Sequence, residues 1–338
     1  MPGGAAAGSV ATAPPATDPA TGSATNDAGH RPIVPLPPGA RAWDLGLDLL
    51  AEDGVALRAA LWNPGGPRGL ALLLSGRVEF LEKLALAATA LADRGYAVAV
   101  LDWRGQGLSE RLTDDPRRAH VGDFAEYHRD LAALVAHPAV AAEGSVRIIV
   151  SHSMGACILR GALAKGVVTA EKLVFSAPLA AIRMHPVAAA VAPLLIYAAR
   201  WLGFSRLWPP VYNPGRPYVL KGFAGNCLSR DPVLYGWYEN TTRTEPRLAL
   251  GLPTLGWLAA ATDAMAANRA MGGTGIPSLV LLGSREGVVD PKASKAMARR
   301  IEARLSVIEG GMHDLFIDAA PIRAAVWDEI DAFLGPSA

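Results

Sequence analysis

The sequence predicts an α/β protein: a mostly parallel central sheet with helices on both faces and an inserted helical cap. Short, continuously apolar segments such as LALLLSG (70–76) and YAVAVLDW (96–103) alternate with helical patterns such as EKLALAATALADRG (82–95). Buried strands that alternate with helices are typical of a parallel sheet covered on both faces. The alternation stops at residues 181–270. This interval is too long for a loop in a compact domain and therefore predicts the cap.

The other elements follow in order along the chain. Residues 43–62 predict an antiparallel hairpin at the edge of the sheet, because two apolar stretches flank a turn at residues 52–54. Further strands are predicted at 146–150, 172–178, 278–284 and 305–310, and further helices at 123–137, 154–166, 291–303 and 321–334. The core is then expected to comprise residues 39–180 and 271–338, with the cap inserted between the sixth and seventh strands.

The first 38 residues differ in composition from the rest of the chain. They are rich in Ala, Pro, Gly and Thr and carry little charge, which predicts a disordered tail over residues 1–38. The tail has no basic segment followed by an apolar one, so we do not expect a signal peptide. The longest uncharged apolar run outside the tail, residues 187–199, is too short to span a bilayer. We therefore expect a cytoplasmic protein.

The composition argues against several classes of function. The 338 residues are 51% hydrophobic and 19% charged, which suffices for a sizeable core. The net charge of +1 gives no field that would recruit nucleic acid. Cys157 and Cys227 do not make a disulfide framework, and no His/Cys cluster has metal-ligand spacing. We therefore expect no metal, no organic cofactor and no nucleic-acid partner.

The stretch SHSMG (151–155) lies between a predicted strand and a predicted helix. It is close to the G-x-S-x-G motif of a nucleophile elbow, with Ser151 in place of the first glycine. Such a turn brings the residues at −2 and +2 into close contact, so both have to be small. Ser153 has Ser151 and Gly155 at these positions, whereas Ser151 has Ile149 on one side. We therefore assign Ser153 as the nucleophile. The alternative is an ordinary turn in which Ser153 only caps the helix.

A base and an acid follow such a serine in the α/β-hydrolase arrangement, with the acid first. Only His185 and His313 come after Ser153. His185 lies in the predicted cap, but His313 follows the last predicted strand, which makes it the candidate base. Glu286 and Asp290 both follow the preceding strand. We choose Glu286 as the acid, because Asp290 precedes a proline in the manner of a helix N-cap. Asp290 is the alternative.

Two backbone N–H groups are the candidate oxyanion donors. Met154 begins the helix after the nucleophile, where backbone N–H groups lack helical partners. The loop after the strand at 70–76 supplies the second donor in this arrangement, and the N–H of Arg77 is the natural choice there. The side chains of Arg77 and Glu79 are expected either to brace this loop or to form a solvated pair.

The chain resembles a known family in stretches that contain these residues. Bacterial lysophospholipases and the related monoacylglycerol lipases of the α/β-hydrolase superfamily are similar to it in LLLSGRVEFLEK, DWRGQGLSERL, DPRRAHVGDFAEYHRDL, SHSMGA and GNCLSRDPVLYGW. The resemblance covers roughly residues 40–335 and implies the α/β-hydrolase fold with a lid over the active site. It also implies that the nucleophile, base, acid and oxyanion donors are Ser153, His313, Glu286, Arg77 and Met154.

Three residues depart from the family pattern. Ser75 stands where histidine is usual, Ser151 where glycine or alanine is usual, and Glu286 where aspartate is usual. Glutamate also serves as the acid of catalytic triads, so none of the three departures removes a catalytic group.

The predicted function is hydrolysis of the acyl ester of a single-chain lipid, either a lysophospholipid or a monoacylglycerol, through an acyl-enzyme. The alternatives are a general carboxylesterase or an acyltransferase with the same triad, and a non-catalytic member of the fold that binds a lipid or a protein. Residues 185–204 are apolar on nearly all faces, which indicates either packing against the core or contact with lipid. The expected partners are thus a lipid ester and, through the cap, the surface of the inner membrane.

Overall fold

The computed structural model of the protein describes residues 31–210 and 222–335, without the side chains of residues 186–189. Within this part of the chain, one sheet contains eight strands: β1 Leu45–Leu50, β2 Ala56–Trp62, β3 Leu70–Leu74, β4 Ala97–Leu101, β5 Val146–His152, β6 Lys172–Ser176, β7 Ser278–Gly283 and β8 Arg304–Ile308. The α-helices are α1 Leu81–Asp93, α2 Ala125–Ala136, α3 Pro138–Ala141, α4 Met154–Ala164, α5 Pro186–Trp201, α6 Pro232–Thr244, α7 Leu255–Ala270, α8 Pro291–Arg300 and α9 Ala320–Leu334. None of the helices in the described residues combines the length and the apolar content that a bilayer crossing requires.

The sheet is mostly parallel, as the sequence predicts. Its strand order is β1-β2-β4-β3-β5-β6-β7-β8. β2 pairs antiparallel with both β1 and β4, and every other neighbouring pair is parallel. The predicted fold class and the edge hairpin are therefore confirmed. Because parallel strands end at the same edge, the loops after β3, β5, β7 and β8 meet there.

Alternate residues of each strand face opposite sides of the sheet. Leu72 and Leu74 of β3 join a buried cluster with residues of α2, α4 and α8. Ala71 and Leu73 of the same strand join a second cluster with residues of α1 and α9. Helices thus cover both faces and hold the strand ends, and the loops that follow them, in place.

Helices α5, α6 and α7 lie between β6 and β7 along the chain, in the interval that the sequence assigns to the cap. α7 is nevertheless part of the core packing, since Trp257 and Ala261 belong to the same buried cluster as α2 and α4. The Trp257 indole N–H donates to the hydroxyl of Tyr127 at 3.1 Å, and the Asn268 amide donates to the carbonyl of Cys157 at 2.9 Å. α5 packs on α7, so α7 connects the cap to the core.

Residues 31–38, which the sequence assigns to the disordered tail, pack against the molecule. Val34 is buried in a cluster with residues of α6. The Trp237 indole N–H donates to the carbonyl oxygen of Pro35 at 2.8 Å. The prediction is wrong for these eight residues, because their apolar side chains meet a complementary surface that composition does not reveal. Residues 1–30 lie outside the described residues.

Candidate active site

Ser153 is the single residue between β5 and α4, and its backbone adopts φ 49° and ψ −111°. A positive φ is costly for a residue with a Cβ atom, so the packing around this turn has to enforce it. A Cβ atom at Gly155 would lie 2.6 Å from the carbonyl oxygens of Leu74 and Ser75, so only glycine fits there. Ser151 is fully buried, and its hydroxyl donates to a carbonyl of β6 at 3.1 Å. The turn therefore presents Ser153 and not Ser151.

Ser153, His313 and Glu286 are joined by hydrogen bonds at the carboxyl edge of the sheet. Nε2 of His313 lies 3.1 Å from Oγ of Ser153. Nδ1 of His313 lies 3.0 and 2.9 Å from the two carboxylate oxygens of Glu286. His313 follows β8 and Glu286 follows β7, so adjacent strands deliver the two side chains. In this geometry the imidazole is placed to accept the serine proton while the carboxylate faces its other nitrogen.

The structure brings Glu286, and not Asp290, to the histidine. Glu286 is buried and also accepts hydrogen bonds from the backbone N–H groups of Val288 at 2.7 Å and Val289 at 3.1 Å. Burial opposes ionisation, but the hydrogen bond to His313 and these backbone donors outweigh it and hold the pKa of Glu286 below its usual value. Asp290 instead caps α8, where its carboxylate accepts from the N–H of the second helical residue at 2.8 Å.

The loop after β3 packs directly on the nucleophile. A Cβ atom at Gly76 would lie 2.9 Å from the ring of His152 and 3.2 Å from Cβ of Ser153. The next residue, Arg77, and the first residue of α4, Met154, both line the cavity around Ser153. The Arg77 guanidinium donates to the carbonyl of Gly251 at 2.7 Å, so its side chain reaches over to the cap. Both predicted oxyanion donors thus belong to segments that flank the serine.

A cavity of about 320 Å³ opens above Ser153. Most of its wall is apolar, with contributions from Leu179, Ile182, Leu228, Leu252, Pro253, Trp257, Leu258 and Val288. A second cavity of about 800 Å³ lies under α5 and shares Ile182, Arg183 and Leu258 with the first. The two cavities therefore adjoin, and charged residues (Arg183, Arg269, Glu286, Asp290 and Lys292) line the second one beside its apolar residues.

A buried charged cluster also lines the first cavity, and the sequence did not single it out as a unit. The Lys83 ammonium group donates to Glu79 at 2.7 Å and also bonds the carboxylate of Asp314. Glu79 does not pair with Arg77 but accepts from the N–H of Gly76, so it does brace the loop. Two sequence signals were available: Lys83 is four residues after Glu79, at helical spacing, and Asp314 directly follows the candidate base.

The pKa values of this cluster reflect burial and mutual attraction. Burial opposes ionisation of Lys83, but Asp314 and Glu79 outweigh it and raise the pKa of Lys83. Burial likewise opposes ionisation of Glu79, but Lys83 and His152 lower its pKa. Burial raises the pKa of Asp314, and Lys83 only partly compensates. The ammonium ion is therefore the charge on which both carboxylates depend.

A mostly parallel sheet with a serine on a strained strand-to-helix turn, facing a histidine and a carboxylate, defines a serine hydrolase with the α/β-hydrolase fold. Residues 65–320 match the Hydrolase_4 family, which is described as serine aminopeptidase, S33. The chain belongs to this family.

Relatives and solved structures with similar chains agree with this class. The probable lysophospholipase L2 of Haemophilus influenzae is 28% identical over 283 residues, which cover 83% of this chain and 88% of the relative. The monoacylglycerol lipase of Mycolicibacterium smegmatis is 26% identical over 287 residues, which cover 83% and 93%. A soluble variant of monoglyceride lipase from Saccharomyces cerevisiae superposes with a TM-score of 0.63 at 19% identity, covering 86% of this chain and 97% of that one.

We expect Gly76→Ala to slow labelling of the serine by a fluorophosphonate probe, on the order of 10- to 10²-fold. The added methyl group has to displace either His152 or the loop that carries Arg77, because its contacts are too short. The measurement is the second-order labelling rate. Gly236→Ala on α6 is the matched control, since nothing lies within 4 Å of a Cβ atom there, and it should label like the wild type. Equal labelling rates for Gly76→Ala and Gly236→Ala would contradict the close packing of Gly76 on His152 and Ser153.

Proposed function

We propose that the protein hydrolyses the acyl ester of a single-chain lipid, a lysophospholipid or a monoacylglycerol, through a covalent acyl-enzyme. The observation that carries this proposal is the hydrogen-bonded chain from Ser153 through His313 to Glu286 at the base of an apolar cleft. The names of the relatives support the same substrate class.

In the first half of the reaction, Oγ of Ser153 attacks the ester carbonyl carbon and Nε2 of His313 takes the hydroxyl proton. Glu286 holds the ring through Nδ1 and stabilises the imidazolium that forms. The backbone N–H groups of Arg77 and Met154 hold the negative oxygen of the tetrahedral intermediate. His313 then returns the proton to the leaving glycerol oxygen, and the C–O bond of the ester breaks.

The second half of the reaction repeats these roles with water. His313 removes a proton from the water molecule, whose oxygen attacks the carbonyl of the acyl-enzyme. Collapse of the second tetrahedral intermediate expels Ser153, which regains its proton from His313. The products are a free fatty acid and the deacylated glycerol compound. Every proton that moves passes through the one imidazole, so the cycle closes without a further acid or base.

The shape and lining of the cleft favour a lipid chain. Ile182, Arg183 and Leu258 line both the cavity above Ser153 and the cavity under α5, so the two spaces adjoin. Apolar side chains such as Pro193 and Ile196 line the part of that second space under α5, and charged residues line the rest. Apolar pockets with a few convergent polar groups bind extended apolar ligands. The single acyl chain of the proposed substrates suits the apolar wall of the first cavity and can extend from there toward the second.

An ester fits the site better than the N-terminus of a peptide. An aminopeptidase needs a negative group to bind the free α-ammonium of its substrate. Among the described residues that line the first cavity, the carboxylates are Glu79 and Asp314, and both are bonded to Lys83. Their charge is already engaged, so a second ammonium ion would have to displace a buried one.

Hydrolysis of lysophospholipids, monoacylglycerols and short p-nitrophenyl esters, measured side by side, tests this proposal. We expect long-chain single-acyl lipids to have the highest kcat/KM, because only they fill the cleft. Ser153→Ala should abolish both hydrolysis and fluorophosphonate labelling. Labelling of Ser153→Ala at the wild-type level, or no hydrolysis of any ester by the wild type, would exclude the proposal. Preference for short esters would support a general carboxylesterase instead.

A comparison of Glu286→Gln with Asp290→Asn tests the triad acid. We expect Glu286→Gln to reduce kcat by on the order of 10³- to 10⁴-fold, because an amide neither stabilises the imidazolium nor fixes the productive tautomer. Asp290→Asn should stay within about 2-fold of the wild type, because asparagine caps helices as well as aspartate does. A larger loss in Asp290→Asn would overturn the assignment.

The cap also has a surface suited to a membrane. Several large apolar side chains in the second half of α5 and just after it are exposed: Leu194, Leu195, Trp201, Leu202 and Phe204, with Trp201 at 86% exposure. On the same helix Ile196 is 6% exposed and packs inward, so α5 has one buried and one exposed apolar side. Exposed apolar patches of this kind mark sites of interaction with other proteins or with the interface of a bilayer. We propose that this surface docks on the membrane that holds the substrate.

We expect the double variant Leu194→Ser/Trp201→Ser to bind anionic phospholipid vesicles at least about 10-fold more weakly than the wild type, because it removes two interfacial anchors. Its hydrolysis of a short soluble ester should be unchanged, since neither residue lines the cavity above Ser153. Val233→Ser, which removes a 63% exposed side chain on α6, is the matched control for vesicle binding by cosedimentation. Equal binding by the double variant and the wild type would exclude docking through α5.

A further inference from the structure

The charged cluster of Glu79, Lys83 and Asp314 joins segments that are far apart in the sequence. Glu79 lies at the end of the loop that carries Arg77, Lys83 lies in the first turns of α1, and Asp314 directly follows His313. Each of the three side chains in the cluster is only 3% exposed, and each lines the cavity above the serine. The cluster therefore lies between two loops: the loop after β3 that carries Arg77, called the oxyanion loop below, and the loop after β8 that carries His313, called the base loop.

Lys83 connects the oxyanion loop to the base loop. Its ammonium group donates to Glu79 at 2.7 Å and bonds Asp314 as well. Glu79 in turn accepts from the N–H of Gly76, one residue before the candidate oxyanion donor. Because α1 is packed in the core, Lys83 is a fixed point to which both loops are attached. Breaking this link leaves each loop with one contact fewer to the rigid part of the fold.

The cap is attached to the same group. The ring of Tyr238 on α6 lies 4.6 Å from the Lys83 nitrogen, and its hydroxyl donates to the carbonyl of Val78 at 2.7 Å. A cation over an aromatic ring is attracted by the negative face of the ring, and the attraction is stronger when the cation is desolvated. Lys83 thus contacts the oxyanion loop, the base loop and the cap at once.

A contribution to the stability of the fold does not by itself explain why these three charged groups are buried together. Burying three charged groups carries a desolvation penalty that their attraction often only balances. Positioning is a stronger reason, because a displacement of about 1 Å at a reacting group costs as much as 10²-fold in rate. The bonds of Lys83 act on both groups whose separation matters most, the imidazole and the oxyanion donor.

We propose that Lys83 is a positioning residue for the hydrolase reaction: through Glu79 and Asp314 it fixes the distance between the oxyanion loop and His313. Lys83 transfers no proton and forms no bond to the substrate. This inference rests on the proposed function, because it requires that His313 and the Arg77 amide act on one reacting ester.

The test is kcat per active site for Lys83→Met, with active sites counted by fluorophosphonate titration. Counting removes any effect of misfolded protein. We expect kcat per titrated site to fall about 10- to 10²-fold, while KM for a short ester stays within about 3-fold because the apolar wall is intact. Lys83→Arg keeps the charge and the donors, and it should recover most of the loss. Unchanged kcat per titrated site in Lys83→Met would overturn the proposal.

Asp314→Asn keeps the shape of the side chain and guards against a folding failure of Lys83→Met. We expect it to lower kcat, and the double variant Lys83→Met/Asp314→Asn to be no worse than Lys83→Met alone, because the two residues act as a unit. If the losses in kcat of the two single variants add up fully in the double variant, Lys83 and Asp314 do not act as a unit, and this outcome would count against the proposal.

Arg104→Met is the matched control for loss of a buried cation. Arg104 is 1% exposed and bonds Asp130 at 2.7 Å, but it does not line the cavity. Arg104→Met should lower the stability of the fold and leave kcat per titrated site unchanged. A loss in kcat per titrated site for Arg104→Met as large as that for Lys83→Met would show that removal of any buried cation has this effect, and would overturn the proposal. Retained hydrolysis by Ser153→Ala would instead refute the proposed function itself, so the two failures are distinguishable.

Discussion

The positive φ of Ser153 is the constraint on which the site depends. The chain leaves β5 and enters α4 with one residue between them, and such strain costs on the order of 1–3 kcal/mol. Three backbone hydrogen bonds hold this residue: its N–H donates to Ser176 at 3.0 Å, and its carbonyl accepts from Ala156 and Leu179, each at 3.1 Å. The central strands thus keep the hydroxyl at the sheet edge, and Gly155 lets α4 approach β3 closely enough for this to happen.

The base loop is held by a comparable set of close approaches. A Cβ atom at Gly283 would lie 2.3 Å from the carbonyl oxygen of Gly311. The end of β7 can therefore approach the base loop this closely only because both residues are glycines. The N–H groups of His313 and Asp314 donate to carbonyls of Cys227 and Leu228, which precede α6. Residues in the interval between β6 and β7 therefore help to hold the loop that carries His313. The ring of Tyr238 on α6 adds a second contact near this loop, because it packs on Lys83, which also bonds Asp314.

The order of the elements and the identity of the elbow serine could be predicted from the sequence, because both depend on local patterns. Continuous apolar strands and a need for small neighbours around a tight turn are visible without a structure. The Lys83 cluster has only weak signals in the sequence, the spacing of Glu79 and Lys83 and the position of Asp314 after His313, and neither signal distinguishes a charge that will be buried from one that will be solvated. The packing of Val34 and of α7 was missed for the same reason: both depend on surfaces formed by distant parts of the chain.

The use of glutamate at position 286 follows from how its carboxylate is held. A glutamate side chain has one more rotatable bond than aspartate, and this freedom would weaken its hold on the imidazole ring. The N–H groups of Val288 and Val289 both donate to one of its oxygens and remove that freedom. The same donors favour the ionised form and help to lower its pKa against the effect of burial. The turn after β7 therefore compensates for the longer side chain of glutamate. It holds the ionised carboxylate in one orientation against Nδ1 of His313.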